Sequence, residues 1–83
     1  MNPSDSRKTH TLDVRPLIAR GEEPFQKIMR TVAGLKPEEN FLLIAPFLPS
    51  PLIEKLRSEG FTAHPERAGD GSWRTLFVRE QRG

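Results

Sequence analysis

Residues 41–45 read FLLIA, five apolar side chains without a break. The run is strand-sized and is bounded by turn-forming KPEEN and PFLPSP. A continuous apolar strand fits a central position covered on both faces, or nearly so. The flanking segments supply candidate cover. Before the run, Phe25, Ile28, Met29, Val32 and Leu35 recur at spacings of three and four, one stripe of a helix. Pro24 suits the first turn of that helix, where a missing N–H costs nothing, and Gly34 and Pro37 mark its end. After the run, Ser50 is placed to N-cap a second helix with Pro51 at its first position. Leu52, Ile53 and Leu56 form its inner face, and Gly60 suits a left-handed cap.

Three further segments alternate as strands do. HTLDVR sets Leu12 and Val14 against Asp13 and Arg15, a period of two that Pro16 ends. FTAHPER reads as a strand that Pro65 confines to an edge or a bulge. WRTLFVR follows the turn cluster AGDGS, so the last two strands form an antiparallel hairpin. The predicted order is βαβαββ. The opening strand–helix–strand unit favours a parallel pair with a right-handed crossover, and the hairpin makes the four-stranded sheet mixed. Two helices on one face give a two-layer α/β (α+β) sandwich. Residues 1–9 read as a disordered lead-in, 10–80 as one domain and 81–83 as a tail.

A chain of 83 residues makes one domain with a thin stability margin, since small domains bury a smaller share of their surface. Five Phe and one Trp argue against disorder. Thirteen basic residues are scattered among eleven acidic ones, for a net charge of +2, so the pI of about 9.5 is thin support for a nucleic-acid partner. No cysteine is present, which removes disulfides, thiolate metal sites and thiol nucleophiles. No apolar stretch is long enough to span a bilayer, and MNPSDSRKTH lacks the apolar core of a secretory signal. A cytoplasmic protein is the expectation.

Several segments resemble the TusA/SirA-like domains, small βαβαββ proteins. LDVRPL is similar to their opening strand segment, with Pro16 where glycine is common. PFQKIMRTVAGLKPEENFLLIA is similar to their first helix, turn and second strand. SPLIEKLRSEGF and WRTLFVRE match their second helix and last strand in placement. The resemblance covers residues 11 to 80 and is strongest to a cysteine-less, uncharacterised branch. It implies the fold above. The family's sulfur carriers use a Cys-Pro-x-Pro motif at the start of the first helix, where the helix end favours a thiolate. Here GEEP stands in that place. Pro24 matches the final proline, and Gly21 stands where the cysteine would be. Without that sulfur the resemblance implies no sulfur transfer, and Glu22 and Glu23 would repel an anionic persulfide.

The candidate site residues follow. Glu22 and Glu23 are adjacent, so they do not face each other on a helix, and they are read as charges at a helix start rather than an acid–base pair. Asp13 and Arg15 are expected on one side of the first strand, with Arg20 in the loop beyond. With Glu22, Glu23 and Pro24 they form the candidate binding site for a small anion or a protein partner. Trp73, Leu76, Phe77 and Val78 put apolar groups on both sides of the last strand. One of these sides faces away from the helices and is a candidate oligomer surface for a homodimer. His10 and His64 lack metal-ligand spacing, so no metal or cofactor is expected. The leading expectation is a non-catalytic binding module. The alternative is an RNA-binding domain of the βαβαββ type found in a translation initiation factor, using Arg7, Lys8, Arg15, Arg74 and Arg79. The third, an enzyme using Glu22 or Glu23, lacks convergent partners.

Overall fold

The computed structural model of the chain describes residues 8–80. The expected tail at 81–83 and most of the expected lead-in lie outside the described residues. The remainder of that lead-in is ordered, since β1 already starts at Thr9 and runs to Asp13. The other strands are β2 (Asn40–Ala45), β3 (Phe61–Arg67) and β4 (Trp73–Arg79). The helices are α1 (Arg15–Ala19), α2 (Phe25–Ala33) and α3 (Ser50–Ser58). The sheet order is β1-β2-β4-β3. β1 and β2 are parallel, and β4 is antiparallel to both its neighbours. β1, β2 and β3 therefore run the same way. Both crossovers step in one direction across the sheet, so right-handedness puts α2 and α3 on the same face. The result is the two-layer sandwich expected from the sequence.

Side chains from that face and from both helices make one core. Phe41, Leu43, Ala45, Phe61 and Phe77 pack with Ile28, Val32, Leu35, Leu52, Ile53 and Leu56. Phe41 and Phe77 are partners across β2 and β4, fully buried, with ring centroids 5.8 Å apart. β2 is the hub of this layer, flanked by β1 and β4, which explains its unbroken apolar run. Helices cover only one of its faces, and Leu42 on the other remains half-buried.

Three local expectations need correction. The first strand stops at Asp13, and the chain turns at once into α1. Pro16 therefore ends a strand by opening a helix, where its fixed φ is already suitable. Arg15 is the first residue of that helix, so it shares no strand face with Asp13. Pro24 is the N-cap of α2, outside its first turn. Ser50 lies inside α3, behind an N-cap at Pro49, and its side chain makes no cap bond. Glu80, at the end of the expected domain, is held by its N–H, which donates to the Gly60 carbonyl at 2.8 Å.

Candidate functional site

In a parallel β–α unit each helix starts at the carboxyl end of its strand. The carboxyl edge of β1 and β2 therefore gathers α1, the start of α2, the Pro46–Pro49 loop and the start of α3. The β3–β4 turn reaches the same edge, because β4 runs the opposite way and begins there. Two sites of unlike chemistry lie along this edge.

The first is ionic. Arg15 donates from Nε to Asp13 Oδ1 at 2.9 Å and from Nη2 to Oδ2 at 2.8 Å, a bidentate pair. Its backbone N–H also donates to Asp13 Oδ1, at 3.0 Å. Nη1 donates to Asp70 Oδ2 at 3.2 Å, across 55 residues of chain. Asp70 Oδ1 in turn accepts from Ser72 Oγ at 2.6 Å and from the Ser72 N–H at 2.9 Å. Gly71 between them has φ +88°, a conformation that favours glycine. The Ser72 hydrogen bonds, with Arg15 behind them, hold the Asp70 carboxyl at about 2. The hydrogen bond from Arg15 lowers Asp13, and Asp13 in turn raises Arg15. This cluster clips the start of α1 to the β3–β4 turn. Arg15 already donates to both carboxylates, which leaves its guanidinium little to offer an added anion.

Arg20, Glu22, Glu23 and Pro24 stand apart from that clip. Arg20 pairs with Glu22, Nε to Oε2 at 3.0 Å, which raises the arginine and lowers the glutamate. Glu23 is exposed, and Pro24 accepts the Ile28 N–H at 3.0 Å. Gly21 has φ +78°, a backbone that L side chains rarely adopt. The place that a cysteine would fill by resemblance is thus built for glycine in conformation as well as in composition. His10 and His64 lie on opposite edge strands. Cross-strand pairing puts His10 on the face of Phe41 and His64 on that of Leu76, so they cannot share an ion. Among the described residues no group of three or more His, Cys, Asp or Glu could hold a metal.

The second site is an apolar groove of about 390 Å³ between the starts of α2 and α3. Val14, Leu43 and Ala45 form its floor, and Leu52 and Ile28 its inner walls. Phe25 and Phe47 stand at its mouth, 42% and 50% exposed. Pro49 and Pro51 stiffen the loop beside it, and Lys55 is the one charged residue lining it. Two solvent-exposed phenylalanines beside one apolar depression depart from ordinary surface composition. The sequence signal was present in Phe47, an aromatic in a proline-rich loop, and in Phe25, at the very start of a helix. Asp70 and Ser72 read only as turn residues.

The candidate oligomer surface divides. Phe77 is core and takes no part in an open surface, and Trp73 shares its side of β4, half-buried opposite Ala45. Leu76 and Val78 occupy the face away from the helices, with Leu42 and Ile44 of β2. No helix in the described residues is long and apolar enough to cross a membrane.

A sequence model of the family described as an uncharacterized conserved protein (DUF2249) matches residues 11–79, and the chain belongs to that family. No curated protein and no solved structure matches it.

Proposed function

We propose that this member of the DUF2249 family is a non-catalytic, cytoplasmic binding module of the TusA/SirA-like type, whose ligand enters the groove between α2 and α3. The observation that carries this reading is the groove itself: apolar walls, two exposed phenylalanines at the mouth and a floor fixed on the sheet. Ligand sites of this size, lined mainly by apolar side chains, are the usual concave binding sites of small domains.

Two considerations favour binding over catalysis. Position 21 has no sulfur to carry a persulfide. The carboxylates on the ionic side are held in ion pairs at pKa values below the ordinary range, far from a poise suited to proton transfer at neutral pH. A small anion at Asp13, Arg15 and Arg20 is the weaker reading, because Arg15 and Arg20 already donate to carboxylates. Of the described cations named for RNA, Arg15 at the carboxyl edge and Arg74 on the open face both act on Asp13. Arg79 is on the helix side, its guanidinium 4.7 Å from the Phe61 ring centroid.

The test is a titration with 1-octanol, an uncharged probe, followed by amide and methyl chemical shifts. Shifts concentrated at Val14, Leu43, Ala45 and Leu52 are expected. Shifts confined to Leu42, Leu76 and Val78, or none in the groove, would overturn the reading.

A further inference from the structure

Resting on that reading, we infer that the groove takes a small amphiphile, an apolar body bearing one carboxylate, with the carboxylate held at Lys55. The walls offer almost no hydrogen-bonding group, so a polar ligand body would lose its hydration there without replacement. The volume of about 390 Å³ lies in the range of small-molecule sites. A helical peptide instead seats anchors at i, i+3, i+4 and i+7 along an extended trough. Here the lining gathers around one depression between two helix starts.

Charge decides the head group. Lys55 is the one ionised residue that lines the groove, three positions after Leu52 and so on the same side of α3. Its side chain is 45% exposed, which lets the aliphatic stem lie along apolar surface while the ammonium reaches water. Its present partner is Glu59, the C-cap of α3 four residues on, with Nζ 3.3 Å from Oε2. Exposed i,i+4 pairs of this kind are weak, so a ligand carboxylate held by its own apolar body can displace Glu59. The negative charge of Asp13 and Asp70 is directed at Arg15, and neither residue lines the groove.

The test compares octanoate, 1-octanol and octylammonium below micelle-forming concentrations, by chemical-shift titration of wild type, Lys55→Met and Glu59→Gln. All substituted positions are exposed, so the fold is retained, which near-ultraviolet circular dichroism checks. Octanoate is expected to bind about three- to fivefold more tightly than octanol, the scale of one exposed ion pair. Lys55→Met removes that difference, Glu59→Gln widens it, and added salt narrows it. Equal binding of octanoate and octanol in the groove overturns the carboxylate assignment and leaves the groove as the binding site. Preference for octylammonium overturns it as well. Binding of none of the three removes both the inference and the function it rests on. A wild-type preference that survives Lys55→Met shows that another group reads the carboxylate, and the assignment to Lys55 falls.

Discussion

The ionic clip and the apolar groove share an edge of the sheet, with Asp13 and Val14 adjacent in sequence and one belonging to each. The clip is rich in groups that chemistry could use, yet those groups answer one another. Each donor of Arg15 that meets a carboxylate is closed to a ligand, and each carboxylate so met is held in its ionised form. The groove has almost no chemistry of its own, yet its carbon surface at Phe25 and Phe47 has no partner among the described residues. Ionisable residues therefore mark where the fold is fastened here, and unsatisfied apolar surface marks where something else can bind.

Substitutions can separate the two. Leu43→Ala, at the groove floor with 1% exposure, is expected to cost about 2–5 kcal/mol in chemical denaturation, as buried leucine truncations do. A loss well under 1 kcal/mol would mean that the floor is not packed as described. Arg15→Ala is smaller. Its partners are partly exposed and screened by solvent, so a loss well below that of Leu43→Ala is expected at neutral pH, with octanol binding unchanged. The clip also predicts an acid dependence. Asp70 binds its proton more weakly folded, at about 2, than at the ordinary value of 3.8, and Asp13 is lowered too. The unfolded chain thus takes up protons first as pH falls. The clip's stability is present above about pH 4 and fades towards pH 2, so the urea midpoint drops across that window. In Arg15→Ala this drop should be shallower but not absent, because Ser72 remains on Asp70. An identical drop in both proteins would break the clip. Phe47→Ser completes the contrast: at an exposed position it should change stability by under about 0.5 kcal/mol while markedly weakening octanol binding. If binding survives, the mouth of the groove is misplaced.

The architecture was legible where one period dominates a segment. The stripe from Phe25 to Val32, the apolar run of β2 and the glycine-rich turn before Trp73 each have one physical reading. Legibility failed where two readings share one residue. Pro16 is as good a helix opener as a strand terminator, and five residues are too few for a helical stripe to show. Along β4, Thr75 and Phe77 alternate with Leu76 and Val78, and periodicity alone cannot tell which set the helices cover. Of the site, Asp13 and Arg15 were found through their charge, but Asp70 joins them only through the fold. The groove is assembled from stretches around residues 14, 25–28, 43–52 and 55, none of which signals a site by itself.

The placing of β4 bears on how the chain comes into being. β4, which follows β3 in the chain, is inserted between β2 and β3. On the ribosome, β2 can pair with β1 but has no second neighbour, and β3 has none at all, until the hairpin emerges. Phe77, fully buried in the core and stacked on Phe41, is then still missing. Growth of the sheet from the amino terminus is thereby blocked at two strands, and a nascent chain stalled before residue 73 exposes the flank of its most apolar strand to chaperones or to other chains.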